Sequence, residues 1–180
     1  MKRKLYSIGP IVSLALLLSF ALCCRQYKKE EITEDEAKAI TAQILKIWNE
    51  GNLDLADQIY APGYVRHHPT ASVNASLDDL KNTVTVNRAG FPDYNLTFDE
   101  MILNEDKIIV RATVTGTNTA PIGERPATGK KIHMAGIYIY QIANKKIAEE
   151  WTYFNLLSYY QQLGFTLSPP QVEEVPEKKQ

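Results

Sequence analysis

Cysteine is nearly absent from this 180-residue chain: Cys23 and Cys24 stand side by side, and no other follows. A disulfide framework, a thiol nucleophile and a cysteine-ligated zinc site are therefore excluded from everything after them. Histidine is almost as scarce, with His67, His68 and His133 alone. None has the HExxH or i, i+4 spacing that sets two imidazoles on one helical face, so a metal site would need convergence from distant segments. Positive charge is not in excess either, with 20 Lys and Arg against 21 Asp and Glu and a net charge of −1. Cleavage ahead of Cys24 would remove Lys2, Arg3 and Lys4, leaving 17 basic against 21 acidic residues, a net −4. Phosphate backbones demand concentrated cations, so nucleic acid is not an expected partner. The longest apolar run also falls short of the ~20 residues a spanning helix needs. What remains, 44% hydrophobic and 23% charged, describes one ordinary globular domain rather than a disordered chain.

The first 24 residues read as an export signal. Lys2-Arg3-Lys4 is a basic n-region, no acid occurs before residue 26, and Ile11 to Leu22 is the apolar h-region, with Gly9-Pro10 preventing its extension backwards. The ending Leu22-Cys23-Cys24 resembles a bacterial lipoprotein signal, which would make Cys24 the lipid-bearing first residue and the membrane a partner through that anchor. Plain secretion and an uncleaved tethering helix are the alternatives. All three place the domain outside the cytoplasm, at the cell envelope or beyond. Residues 25–32 then form a polar stalk, 33–165 the domain, and 166–180 a polar, proline-bearing tail expected to be disordered.

Within the domain, helical spacing comes first. Thr33-Glu34-Asp35-Glu36 is a capping box, followed by Ala37, Ile40, Ile44, Ile47 and Trp48 at helical intervals and stopped by Gly51. Asn52 can cap a short helix to Tyr60, ended by Pro62-Gly63. Ser76 with Asp79 opens another helix that closes at Gly90. After Phe91-Pro92-Asp93 the pattern turns strand-like: 94–103, 108–119, 131–142 and 147–155, joined in two places by the polar stretches 104–107 and 143–146. A helical turn over 156–163 closes the domain at Gly164. The order predicts an α+β fold with helices on one face of an antiparallel sheet. The strand 131–142 is apolar on both faces, so the second face should also be covered, most simply by another copy in a homodimer or higher oligomer.

Several short motifs, in order, resemble the SnoaL-like polyketide cyclases, also called ester cyclases, of the NTF2-like superfamily. They are Tyr64-Val-x-His67, Phe91-Pro-Asp93, Arg111-x-Thr-Val-Thr-Gly-Thr117, Pro126-Ala-Thr-Gly-Lys130, Trp151 and Gln161-Gln-Leu-Gly164. The resemblance implies a cone-shaped α+β barrel in which N-terminal helices pack on a curved sheet around a deep apolar pocket. It implies a small apolar or polycyclic substrate, and an intramolecular aldol closure of a polyketide methyl ester without metal or cofactor. It further implies an aspartate as acid/base, a carboxylate whose pKa an apolar site would raise. That aspartate lies four residues after the tryptophan matched by Trp151, where this chain has Asn155. The histidine common after the second-strand Gly-Thr is Asn118 here. A carboxamide donates and accepts hydrogen bonds but takes no proton near neutral pH.

The candidate catalytic residues are accordingly His67, Asp93 and Asn155. His67 is either a base or a loop residue at the pocket mouth, and Asp93 either a base or a turn residue. Asn155 either points into a pocket wall shared with Trp151 and Tyr153 or caps the closing helix. Tyr64, Phe91, Arg111, Asn118, Met134, Tyr138, Trp151 and Tyr153 are the candidate substrate contacts. Arg111 either anchors a ligand oxygen or pairs with Asp93 or Glu149. His133 is read as a surface or interface imidazole. The run 123–130 fails as a phosphate loop, since no hydroxyl residue follows Lys130 and no helix begins there. Two functions are expected from the whole: cofactor-independent acid/base cyclisation or isomerisation, or noncatalytic carriage or sensing of a small molecule. A structural module assembled through its sheet is a third reading.

Overall fold

The computed structural model describes residues 31–67, 74–166 and 168. The export signal, most of the stalk, Cys24, His68 and nearly all of the tail lie outside those residues. Helix α1 spans Glu34–Glu50 and begins with the capping box: Thr33 Oγ1 accepts from the Glu36 amide while the Glu36 carboxylate accepts from the Thr33 amide. It buries Ala37, Ile40, Ile44, Ile47 and Trp48, the stripe expected from its spacing. At its end Gly51 takes the left-handed conformation, φ 74°. The Arg88 guanidinium then donates to the Trp48 and Asn49 carbonyls, satisfying groups the helix leaves open. Helix α2 is Asp54–Ile59, and its N-cap is Leu53 rather than Asn52, with no side-chain cap. Helix α3, Leu77–Gly90, carries the Ser76/Asp79 capping box, and α4 is Leu156–Gln162.

Five strands form one sheet in the order β1-β5-β4-β3-β2. They are β1 Tyr60–His67, β2 Asn95–Asn104, β3 Lys107–Thr117, β4 Lys131–Ala143 and β5 Lys146–Phe154. Four match the expected strands. The first does not, because the sequence pattern ended a helix at Pro62-Gly63 and read no strand there. β1 is an edge strand paired on one side only, where a proline costs no central ladder bond, and its register shifts between Tyr60 and Val65. It also runs parallel to β5, so the sheet is not wholly antiparallel. The two hairpins are tighter than the polar stretches suggested, since the ladders extend to Asn104–Lys107 and Ala143–Lys146. Asn144 and Lys145 both have positive φ, 52° and 61°, as a two-residue turn of matching twist requires.

The helices cover one face of this sheet. Asn49 of α1 donates to the Leu96 carbonyl at 2.9 Å and accepts from the Leu96 amide at 2.7 Å, fixing α1 against β2. The inward side chains are Leu96, Ile108, Val110, Ala112, Val114, Ile132, Tyr138 and Tyr140, all buried. This is the α+β architecture expected, with a curved sheet wrapped around the helices. The opposite face carries Ile137 and Tyr153, 45% and 50% exposed, and among the described residues nothing covers them.

Candidate functional site

Between the helices and the inner sheet face lies a cavity of about 420 Å³, within the range of small-molecule sites. Its walls are Phe91 and Tyr94 after α3, Val114 on β3, Ile132, Met134 and Tyr138 on β4, and Thr152 and Phe154 on β5. Trp48 closes it from α1, Thr83 and Asn87 from α3, and Leu156, Tyr159 and Tyr160 from α4. Two arginines complete the lining: Arg66 at the buried end and Arg125, half-buried, from the loop between β3 and β4. No carboxylate and no histidine is part of it.

The buried end is built by strand pairing. In the parallel ladder Arg66 lies beside Glu150, and alternation puts Tyr64, Arg66, Glu150 and Thr152 on one face. The Glu150 carboxylate, 1% exposed, accepts from the Tyr64 hydroxyl at 2.7 Å and from the Thr152 hydroxyl at 2.9 Å. Arg66 Nε stands 3.1 Å from its Oε1. Arg66 Nε and Nη2 also donate to Thr152 Oγ1 at 3.4 Å, and the guanidinium lies 5.6 Å over the Trp48 ring. Burial is the largest single influence and opposes the arginine's charge, but Glu150 together with Tyr138, Tyr64 and Tyr60 outweighs it and holds the guanidinium above its ordinary pKa. Burial, reinforced by Glu150, likewise pushes the Tyr64 phenol upward. Arg66 is thus a fixed cation at neutral pH, with Nη1 left outside this network. An unpartnered buried cation would be costly, and the bonded carboxylate removes that cost.

The structure sorts the sequence candidates by face. Phe91, Met134 and Tyr138 line the cavity, and Tyr64 stands behind it as a ligand of Glu150. His67, Trp151 and Tyr153 have the opposite parity and lie on the outer face, so the expected wall of Trp151, Tyr153 and Asn155 is not formed. There His67 Nε2 meets Glu149 Oε2 at 2.7 Å and its ring stacks on Trp151 at 4.7 Å. Arg111 is outside as well, paired with Asp99 at 3.0 Å and Glu100 at 3.3 Å, not with Asp93 or Glu149. Asp93 is exposed and accepts from the Thr117 amide and hydroxyl at 2.6 and 2.7 Å; these bonds lower its pKa, the opposite of a base tuned by burial. Asn118 is buried but holds the loop base, donating to Ala120 O and accepting from Thr128 N at 2.8 and 2.9 Å. Asn155 is the N-cap of α4, its Oδ1 accepting from the Ser158 amide at 3.0 Å. His133 is exposed, its backbone bonded to the Gln162 carboxamide where β5 has ended.

Arg66, Glu150, Thr152 and Trp48 were missed as a group because 60–67 was not read as a strand. As a strand, Tyr64 and Arg66 share a face, which would have signalled an arginine among inward side chains. Among the described residues no group of three or more His, Cys, Asp or Glu is placed to hold a metal. No helix among them is long and apolar enough to cross a membrane.

Comparison with known proteins gives one consistent result. Residues 38–163 match the family model of the SnoaL-like polyketide cyclases. TsrD from Streptomyces laurentii superposes with a TM-score of 0.67 at 26% identity, covering 74% of this chain and 98% of its own. A protein from Acidithiobacillus ferrooxidans described as a polyketide cyclase gives 0.64 at 28%, covering 73% and 96%. AclR from Streptomyces galilaeus, described as a hydroxylase, gives 0.66 at 22%, covering 77% and 87%, a likeness of fold alone. Among curated protein sequences none matches the chain.

Proposed function

The chain belongs to the SnoaL-like polyketide cyclase family, and on that premise we propose that it binds a flat, oxygenated, polyketide-like molecule and holds it without cyclising it. The observation that carries this reading is the cavity lining: aromatic walls, one buried arginine, and no side chain able to take a proton near neutral pH. Trp48, Phe91, Tyr94, Tyr138, Phe154 and Tyr159 suit a planar ring system. Arg66 Nη1 suits a carbonyl or phenol oxygen, and the neutral Arg66–Glu150 pair favours an uncharged oxygen there over a second carboxylate. Polarising a carbonyl is one half of enolisation; the base is the other half. His67, Asp93 and Asn155 are all engaged outside the lining, so none supplies it. Carriage or sensing at the cell envelope fits the basic and apolar opening of the sequence, with Cys24 as lipid anchor. Pairing of two copies through the outer sheet face fits its exposed Ile137 and Tyr153.

Native mass spectrometry of the protein from its own membrane fraction, before and after incubation with host extract, tests the reading. A retained organic ligand of unchanged mass and isomeric form is expected. A ligand converted on the protein would overturn it. Loss of retention in the double variant Arg66→Met/Glu150→Gln, which leaves no buried charge unpaired, would tie the ligand to the buried end.

A further inference from the structure

The cavity contains a second arginine, Arg125, which no carboxylate among the described residues neutralises. Arg125 donates through Nε to the Ile122 carbonyl at 3.4 Å and through Nη1 to the Tyr160 hydroxyl at 3.1 Å. Its guanidinium lies 5.6 Å from the Tyr160 ring centroid. No carboxylate among the described residues pairs with it, whereas Arg66 has Glu150. The side chain is nevertheless held in place. Its loop is closed at the base by Asn118 N to Lys130 O and Gly129 N to Asn118 O, both 2.8 Å, and Ile122 and Arg125 exchange backbone bonds across a tight turn. Ile122 itself is buried against Gly90. The loop therefore presents a fixed cation at the rim of a cavity whose inner end is electrically balanced.

We infer that Arg125 is an anion subsite and that the ligand is an aromatic acid bound as the free carboxylate, not as the ester. The inference rests on the small-molecule reading above and specifies its ligand class. Two facts orient such a molecule. A carboxylate at the inner end would face Glu150 inside a buried site, where like charges repel strongly. At the rim the same carboxylate meets a guanidinium that no carboxylate among the described residues engages, with donors to spare and geometry suited to planar oxyanions. The ring system then fills the aromatic walls, a ring oxygen reaches Arg66, and the acid leaves toward Arg125.

Anthraquinone-2-carboxylate and its methyl ester have the same ring system and differ in this one charge. Binding of each is read by quenching of Trp48, which lines the cavity, with Trp151 on the outer face contributing a constant background. The acid should bind the purified protein roughly two- to fivefold more tightly than the ester, as expected for a partly exposed charge pair. That ratio should fall to about one in Arg125→Gln, and it should shrink with added salt, which screens exposed charges. Equal affinities in the unaltered protein, or a preference that survives Arg125→Gln, would remove the subsite and leave the cavity reading standing. If neither compound binds, the small-molecule reading fails and this inference fails with it.

Discussion

Asn155 is the residue at which this chain departs most sharply from the family pattern. In the family resemblance its position belongs to the acid/base aspartate, yet here its Oδ1 accepts the Ser158 amide at the start of α4. An aspartate would serve that cap equally well and would still point at the helix, not into the cavity. Asn155→Asp should therefore leave thermal stability nearly unchanged and create no turnover of a polyketide ester. Asn155→Ala should cost about 1 kcal/mol, because the Ser158 amide loses its acceptor. Melting curves and a product assay check both, and turnover in Asn155→Asp would mean that only the base had been missing. At this scale the sequence showed which residues are aromatic or ionisable, but not which way they face. β5 is apolar at both parities, and a shift of one residue exchanges Trp151 and Tyr153 for Glu150 and Thr152. Met134 and Tyr138 do line the cavity, as Phe91 does, although β4 is apolar on both faces as well and the pattern alone left their direction equally open.

At the scale of elements, the capping boxes at Thr33 and Ser76 and the stripe from Ala37 to Trp48 could be read directly, since each rests on contacts within a few residues. β1 could not, because its strand character comes from pairing with β5, some 85 positions later. Proline and glycine within it mask a local pattern that only the tertiary partner restores. Gly136 on β4 shows another such long-range requirement. A Cβ there would stand 2.4 Å from the Phe154 ring and 2.6 Å from the Tyr153 carbonyl, so its absence is what lets Phe154 lie across β4 as a cavity wall. Gly136→Ala should cost about 1–3 kcal/mol by overpacking and displace Phe154, weakening ligand binding as well as stability. Gly63→Ala is the control: nothing lies within 4 Å of its Cβ, so its melting temperature should barely move. Equal melting temperatures for the two variants would show that Phe154 does not depend on Gly136.

For the molecule as a whole, the cone follows from helices that cover one sheet face only, and this leaves the other face to be accounted for. Across β3, β4 and β5 the register aligns Arg111, Ile137 and Tyr153 in one row, and Ile109, Ile139 and Trp151 in the next. The apolar centre of these rows is flanked by charge: Arg111 with Asp99 and Glu100 on one side, His67 with Glu149 on the other. Such a surface would suit pairing about a two-fold axis, with apolar rows meeting at the centre and the polar and charged groups left at the rim. The two-sided apolar strand was visible in the sequence, while the placement of charges around it needed the fold. The domain should therefore sediment as a homodimer or larger assembly, and the double variant Ile137→Lys/Tyr153→Lys should sediment as a monomer. That variant puts two like charges into each half of the centre without touching the inner face, so its melting temperature should fall only by the part owed to assembly. Analytical ultracentrifugation over a dilution series decides between the possibilities. A monomer in the unaltered protein, or an assembly unmoved by the two lysines, would mean that this face meets water and the outer apolar rows serve the sheet alone.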